Sequence, residues 1–428
     1  MHPVLQADQR YVWHPFTQHA WWPDDDPLVI TGAQGVYLTD SDGKRYIDGF
    51  SSLWVTVHGH NEPRITEAIT QQARTLDHST FLGFTHEPGV RLAEELVNRS
   101  PLDRVFFAGD GSSAVEAGIK MAYQAKLQQG EDRPLYVHVA EGYHGDTLGA
   151  VSVGGIDLFH HTYRPILLRT RMVSSPGVLA AGQNRADRAA EVLAELRALL
   201  DEVGDQVCAL VVEPLVQAAG GMLTHDVTFL QGARDLSREY GAYLLTDEVA
   251  TGIGRTGTMW AIEQADVQPD LLTCGKGLTG GVLPLSAVLA SEEIFQAFQG
   301  DSTRTFFHGH SFTANPMCAA AALANLELID ERNTLDHAAW IGRTLGDLLK
   351  GEDERIVEVR RIGTMTGIEV RPHGERTGFR ICTAMREAGV ITRPLGDVVI
   401  LMPPLGIQEP ELQQLVTAFH HGLDTVYA

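Results

Sequence analysis

The chain has 428 residues, which is more than one ordinary domain and predicts two or three folding units, although large α/β proteins can also share one core. Hydrophobic residues make up 44% and charged residues 21%, which is typical of a globular protein, and the formal net charge of -22 argues against nucleic acids and anionic membranes as partners. There is no signal-peptide pattern, no run of ~20 apolar residues and no close cysteine pair, so we expect a cytoplasmic protein without membrane spans or disulfides.

Helical and strand patterns alternate along the central part of the chain. Near the start, residues 36–48 are predicted to form a β-hairpin, because two short β-prone runs flank an Asp-Gly turn. Helical spacing follows in residues 91–99, 114–128 and 185–202, and apolar runs typical of buried strands occupy residues 104–108, 135–139, 207–213 and 243–246. Continuous apolar runs between helices indicate a mostly parallel sheet that is covered on both faces.

The last third of the chain changes character. Residues 319–332 and 335–349 are predicted to be helical, whereas residues 356–370 and 391–402 resemble strands of a smaller α+β unit. We therefore expect a large domain in residues 61–325 and a small domain in residues 326–428. Residues 1–60 are expected to form an N-terminal arm that joins the small domain.

Lys276 has the most informative surroundings in the sequence. An apolar run leads into it, and glycines follow at 277, 280 and 281, while a second apolar run upstream ends at Asp247. An acid at a strand end and a lysine on a later loop suit an enzyme that uses pyridoxal 5'-phosphate (PLP). The lysine would form a Schiff base with the cofactor, and the acid would keep the pyridine nitrogen protonated so that the ring accepts electrons.

Gly111 and Ser112 lie between a predicted strand and a predicted helix. Backbone N–H groups at a helix N-terminus and a serine hydroxyl form a site that suits a phosphate group. Glycine and serine in front of a helix also serve as an ordinary cap, and the pattern alone does not separate the two. The downstream lysine and aspartate favour the phosphate interpretation.

Other candidate side chains follow predicted strands or lie in polar loops. Tyr143 or His144 could stack on a flat heteroaromatic ring, and Glu213 ends a strand where it could contact the cofactor or orient a substrate. Arg393 could bind a substrate carboxylate bidentately, although a surface salt bridge is the simpler interpretation. Arg255 could pair with an acid beneath the cofactor.

Histidines cluster in three places, at 58 and 60, at 160 and 161, and at 308 and 310. Paired histidines suggest metal ligands, but no matching set of further ligands accompanies any of the three. We therefore expect no metal site.

Together these features resemble the class III aminotransferases, which are PLP enzymes of fold type I, over nearly the whole chain. The pairing of residues 246–249 with Lys276 is specific to that class. Several further segments are similar to the 7,8-diaminononanoate synthases of biotin biosynthesis: residues 13–17, 49–54, 78–80, 142–147, 307–311, 393–396 and 402–404. Those enzymes transfer an amino group to 8-amino-7-oxononanoate, usually from S-adenosylmethionine.

The resemblance implies an α/β fold with a mostly parallel seven-stranded sheet in the large domain and a smaller α+β domain. It implies three catalytic residues: Lys276, Asp247 and Tyr143. The cofactor would be held by Gly111, Ser112, Tyr143, His144, Glu213, Asp247 and Lys276 and, from the neighbouring subunit of a homodimer, by His310 and Ser311. The substrate pocket would be lined by Phe16, Trp54, Tyr143, Lys276, Gly309 and Arg393, with Arg393 on the substrate carboxylate.

Two departures from the family pattern concern the amino donor. Many members have Tyr at the position of Phe16 and Trp at the position of Leu53, and these aromatic side chains shape the pocket that both substrates share. Some enzymes of this type use lysine as the donor, and this chain resembles that branch at both positions. The donor is therefore expected to be S-adenosylmethionine or lysine.

Two other functions remain open from the sequence. A related class III enzyme could act on ω-amino acids or diamines, although residues 13–15 and 393–396 argue against it. A nonenzymatic small-molecule-binding protein on a Rossmann-like sheet would need neither Lys276 nor Asp247.

Overall fold

The computed structural model describes residues 2–428. Its helices are α1 (Pro3–Tyr11), α2 (Ser51–Trp54), α3 (Pro63–Thr75), α4 (Glu87–Asn98), α5 (Gly111–Gln128), α6 (Leu148–Ser152), α7 (Asp157–His160), α8 (Arg185–Val203), α9 (Val227–Glu239), α10 (Glu292–Ala297), α11 (Pro316–Glu331), α12 (Thr334–Leu348), α13 (Thr377–Met385) and α14 (Glu409–Tyr427). The helices predicted at residues 91–99, 114–128, 185–202, 319–332 and 335–349 are confirmed within a few residues.

The strands form four sheets. They are β1 (Ile30–Gln34), β2 (Tyr37–Asp40), β3 (Arg45–Asp48), β4 (Arg104–Ala108), β5 (Leu135–Val139), β6 (Thr170–Val173), β7 (Val207–Val212), β8 (Val216–Gln217), β9 (Leu223–Thr224), β10 (Tyr243–Asp247), β11 (Leu271–Cys274), β12 (Ser286–Ala290), β13 (Ile356–Ile362), β14 (Met365–Val370), β15 (Val390–Ile391), β16 (Pro394–Leu395) and β17 (Val398–Leu401). The predicted hairpin is confirmed, since β2 pairs antiparallel with β3.

The central sheet has seven strands in the order β4-β12-β11-β10-β7-β5-β6. Six strands run parallel, and β12 runs antiparallel to both of its neighbours. Strands β5, β7, β10, β11 and β12 are buried along their whole length, which explains their continuous apolar sequences. The prediction of a mostly parallel α/β sheet is therefore confirmed.

The topology brings the carboxyl ends of the parallel strands to one edge of the central sheet. Asp247 is the last residue of β10, Glu213 directly follows β7, and Lys276 lies two residues after β11. The loops after β4 and β5 carry the segments that begin at Gly109 and Ala140. Open α/β sheets bind their ligands at this edge, so the fold gathers the predicted site residues there.

There are two smaller four-stranded sheets, and one of them combines segments from both ends of the chain. The sheet β1-β2-β3-β15 pairs the N-terminal hairpin with residues 390 and 391, and the second sheet has the order β13-β14-β17-β16. The division of the chain at residues 60 and 325 stays a prediction.

In residues 2–428 no helix is long and apolar enough to cross a membrane. The four cysteines are free and buried.

Candidate active site

Lys276 begins a 3-10 turn, Lys276–Thr279, two residues after the end of β11. Its φ of 44° lies in the left-handed region, which costs free energy for a residue with a side chain. The amide of Asn325 on α11 stabilises this turn by donating to the carbonyls of Gly277 and Leu278, at 3.0 Å each. The ammonium Nζ lies 5.1 Å from the centroid of the Trp54 ring. The strained backbone at Lys276 thus places the lysine amine over the ring of Trp54.

The pKa of Lys276 is lowered, because burial disfavours its charged form more than Asp247 and Glu213 favour it. A lowered pKa increases the fraction of neutral amine, the form that can attack a carbonyl or accept a proton. The position therefore suits a reactive lysine.

Asp247 is a buried carboxylate with three hydrogen-bond partners. Its Oδ2 lies 2.8 Å from Nδ1 of His144, and its Oδ1 accepts from the backbone N–H of Val249 at 3.0 Å and from the hydroxyl of Thr273 at 3.1 Å. Burial by itself would lower the pKa of His144, but the hydrogen bond and charge of Asp247 outweigh it, so this pKa is raised. The contact with Asp247 thus favours a protonated imidazole on His144.

Glu213 connects the loops after β5 and β7. Its two carboxyl oxygens accept from the backbone N–H groups of Tyr143 at 3.0 Å and Ala218 at 2.9 Å. Burial raises the pKa of Glu213 to about 7. The Tyr143 hydroxyl donates to Asp146 at 2.9 Å, and its ring lines the same cavity as Glu213. Glu213 therefore positions the backbone that carries Tyr143.

Gly111 and Ser112 form the first turn of α5, whose N-cap is Asp110. Their backbone N–H groups have no acceptor within residues 2–428, so they are available to an anion. The Ser112 hydroxyl lies 2.8 Å from Oγ1 of Thr147. A side chain at position 111 would come within 2.6 Å of Val249, so only glycine fits between the helix and the loop after β10.

A cavity of about 290 Å³ joins these groups. Its walls come from the loops at the sheet edge and from both ends of the chain: Phe16, Leu53, Trp54, Asp110, Gly111, Ser112, Tyr143, His144, Gly145, Asp146, Phe159, Glu213, Ala218, Ala219, Asp247, Val249, Ala250, Lys276, Arg393 and Leu395. The structure thus brings together ten of the thirteen predicted site residues.

Arg393 lies between β15 and β16 in the cavity wall. No aspartate or glutamate in the described part of the chain forms an ion pair with its guanidinium. Burial lowers the pKa of Arg393. A half-buried cation without a counter-ion favours binding of an anionic ligand.

The other three predicted residues lie outside this cavity. Gly309, His310 and Ser311 form an exposed loop, and the His310 ring lies next to Gly109, which precedes the N-terminus of α5. Their contact with the cofactor of a neighbouring subunit stays a prediction.

The expected pairing of Arg255 with an acid beneath the cofactor is wrong. The side chain is buried and donates to two backbone carbonyls, to Pro403 at 3.0 Å and to Thr56 at 2.7 Å. Arg255 joins segments from opposite ends of the chain, and sequence proximity to Asp247 did not reveal this.

The sequence interpretation missed Thr147 and Phe159. Thr147 contacts Ser112 from the loop after β5, and the Phe159 ring packs edge-on against Phe16 with a centroid distance of 5.4 Å. Thr147 lies within residues 142–147, a segment that carries the family resemblance, and this resemblance could have indicated Thr147 as a site residue. No local pattern marked Phe159 as a cavity residue.

The residues present fit PLP. Gly111 and Ser112 offer free N–H groups for its phosphate, Asp247 offers a buried carboxylate for its ring nitrogen, and Lys276 offers an amine of lowered pKa. Residues 2–428 contain no group of three or more histidine, cysteine, aspartate or glutamate side chains arranged to hold a metal ion.

Comparison with known proteins agrees with this geometry. The family model "Aminotransferase class-III" matches residues 21–423. An adenosylmethionine-8-amino-7-oxononanoate aminotransferase from Aquifex aeolicus is 42% identical, over 96% of this chain and 94% of the relative. The crystal structure of the Methanocaldococcus jannaschii protein of that name has a TM-score of 0.93 and 35% identity, with 99% of both chains covered.

A second kind of structural neighbour is an omega transaminase from Pseudomonas jessenii, solved in complex with PMP. It has a TM-score of 0.95 and 28% identity, with 99% of this chain and 98% of the neighbour covered. The family match and such cofactor-bound neighbours identify the cofactor as pyridoxal 5'-phosphate and the activity as transamination. The chain therefore belongs to the class III aminotransferases.

Proposed function

We propose that this transaminase converts 8-amino-7-oxononanoate to 7,8-diaminononanoate in biotin biosynthesis. The observation that carries the proposal is Arg393, a half-buried guanidinium without a counter-ion in a wall that also contains the apolar side chains of Phe16, Phe159, Trp54 and Leu395. The acceptor has a long apolar chain with one carboxylate end, which such a wall matches. Relatives named for this reaction, at 35–44% identity over nearly the whole chain, support the same assignment.

The site residues divide the work of an amino-group transfer. When bound, PLP supplies the electron sink for bond breaking at the amine carbon. Gly111 and Ser112 would hold its phosphate, and Asp247, oriented by His144, would hold its ring nitrogen. Lys276, with its lowered pKa, would take a proton from the substrate carbon and deliver it to the cofactor carbon.

The amino donor is S-adenosylmethionine or lysine. Phe16 and Leu53 line the cavity and are 59% and 43% exposed, so at these two positions the donor meets apolar side chains and not the tyrosine and second tryptophan of many family members. This composition supports lysine as a candidate beside the donor in the relatives' names.

A donor panel tests the proposal. Purified holoenzyme is incubated with 8-amino-7-oxononanoate and, separately, S-adenosylmethionine, lysine, alanine or a diamine, and 7,8-diaminononanoate is measured by mass spectrometry. We expect product with one of the first two donors. Absence of product with every donor, together with rapid amine transfer to pyruvate, would instead support an omega transaminase like the P. jessenii neighbour.

We further propose a homodimer with shared active sites. The exposed loop of residues 307–312 carries Phe307 and Phe312, which are 79% and 63% exposed. It contacts residues 77–84 through the rings of His78 and Phe312, 5.1 Å apart, and those residues expose Leu82 and Phe84. Such an apolar surface suits a second copy of the chain.

Sedimentation analysis tests the assembly. A homodimer has twice the chain mass of 46.7 kDa. Phe312→Ser should weaken the dimer, whereas Val357→Ser, at an exposed apolar position on β13, serves as the control. A wild-type protein that sediments as a monomer at micromolar concentration would contradict the proposal.

The cytoplasmic location stays a prediction.

A further inference from the structure

The segment that carries Trp54 into the cavity has an unusual backbone. Its φ angles are 54° at Ser51, 48° at Ser52, 74° at Leu53 and 69° at Trp54, so α2 is one left-handed turn of four residues without glycine. The left-handed conformation costs free energy for a residue with a side chain. Four in succession persist only when surrounding contacts hold them in place.

Asp48, at the end of β3, supplies two of these contacts and is itself held by a third hydrogen bond, with His60. Its Oδ1 accepts from the backbone N–H of Ser52 at 2.9 Å, and its Oδ2 accepts from the Ser52 hydroxyl at 2.7 Å and from Nε2 of His60 at 2.9 Å. Asp48 is fully buried, and the charge of the buried Arg255 lies near it. We refer to Asp48, Ser52 and His60 as the Asp48 clamp.

Two further hydrogen bonds hold the start of the turn and the residues after it against distant parts of the chain. The Ser51 hydroxyl donates to the carbonyl of Met402 at 2.6 Å, and the Arg255 guanidinium donates to the carbonyl of Thr56 at 2.7 Å. These contacts involve residues far apart in the sequence. The left-handed turn is therefore a product of the folded protein and not of local preference.

The turn determines the position of Trp54. This side chain is 5% exposed, lines the cavity and lies beside Nζ of Lys276, yet its indole Nε1 has no hydrogen-bond acceptor within residues 2–428. Buried indole N–H groups are normally paired, so this N–H remains available to an acceptor that residues 2–428 do not supply.

We propose that Asp48 and His60 are positioning residues for transamination, which act through Trp54. By holding the left-handed turn, the Asp48 clamp keeps the Trp54 ring beside Lys276 and its indole N–H available to bound substrate. The inference rests on the proposed function only for the choice of acceptor substrate.

A double-mutant cycle tests the coupling. Asp48→Asn, Trp54→Phe and the double variant are prepared as holoenzymes, and kcat/KM for the amino acceptor is measured with PLP content determined from absorbance. Asp48→Asn should lower kcat/KM by about 10- to 100-fold, since a displacement near 1 Å costs up to ~100-fold. In the Trp54→Phe background the same change should cost threefold or less.

Asp40 provides a matched control. It is also buried, and its carboxylate also accepts three hydrogen bonds, from the N–H groups of Asp42 and Lys44 at 2.9 Å each and from the Tyr46 hydroxyl at 2.8 Å. Asp40→Asn should leave kcat/KM within threefold of wild type, because this carboxylate stabilises the hairpin away from the cavity.

Three results would overturn the inference: an Asp48→Asn variant with wild-type kcat/KM, an equal loss in both Trp54 backgrounds, or an equal loss in Asp40→Asn. If Asp48→Asn does not fold, His60→Gln, at a partly exposed position, is measured in the same cycle with the same criteria. An inactive wild-type enzyme with 8-amino-7-oxononanoate would refute the proposed function instead, and the cycle would then use the acceptor that the wild-type enzyme accepts.

Discussion

Arg393 offers the sharpest test of how this enzyme recognises its acceptor. Its guanidinium lies in the cavity wall, has no carboxylate partner in the described chain and has its pKa lowered by burial. A substrate carboxylate that accepts hydrogen bonds from this charged group gains about 1.5–3 kcal/mol of binding free energy. Because 1.4 kcal/mol corresponds to a factor of ten, Arg393→Met should raise KM for 8-amino-7-oxononanoate by about 10- to 150-fold.

The assay compares the acid with its methyl ester in both enzymes. The wild-type enzyme should prefer the acid, whereas Arg393→Met, which keeps side-chain bulk without charge, should treat acid and ester alike. Arg355→Met is the control, since Arg355 pairs with Asp353 and Asp424 outside the cavity. The donor half-reaction, followed by cofactor absorbance, should change much less.

An increase in KM of the same size for acid and ester would refute the reasoning. It would mean that Arg393 supports the shape of the cavity and does not contact the carboxylate. Equal damage to both half-reactions would mean that Arg393 serves both substrates.

Four further outcomes are expected. Lys276→Ala should abolish turnover while circular dichroism shows an unchanged fold, and steady-state activity in this variant would disprove its role. Asp247→Asn should lower kcat at least tenfold, because a neutral amide loses charge-assisted contacts in a buried site, and an unchanged kcat would exclude Asp247 as the ring partner. Lys276→Ala mixed after dissociation with a variant replaced at His310 and Ser311 should recover part of the activity, and no recovery in demonstrated heterodimers would argue against shared sites. Burial raises the pKa of Glu248 from 4.5 to about 7, so the folded state binds more protons between these values and stability falls as pH rises through that window. Glu248→Gln should remove this fall and gain roughly 3 kcal/mol at pH 8 in urea unfolding, and parallel pH profiles of the two proteins would contradict the raised pKa.

Local sequence was sufficient to predict much of the fold. Continuous apolar runs indicated the strands β5, β7 and β10, because a parallel strand covered by helices is buried on both faces. Asp247 at the end of β10 and Lys276 after β11 indicated a PLP enzyme from their residue types and order in the sequence alone. These predictions succeeded because periodicity, turn residues and chemical type are properties of adjacent residues.

Tertiary structure alone decided how those residues meet. His144 contacts Asp247 across 103 residues, and Ser51 donates to Met402 across 351 residues. The left-handed turn that carries Trp54 opposes local preference and depends on Asp48, His60 and Arg255. The strand order and the joining of both chain ends bring these groups together. Hydrogen bonds between distant segments, and the relief of strain that they provide, arise only on folding. No local sequence pattern could therefore reveal these contacts.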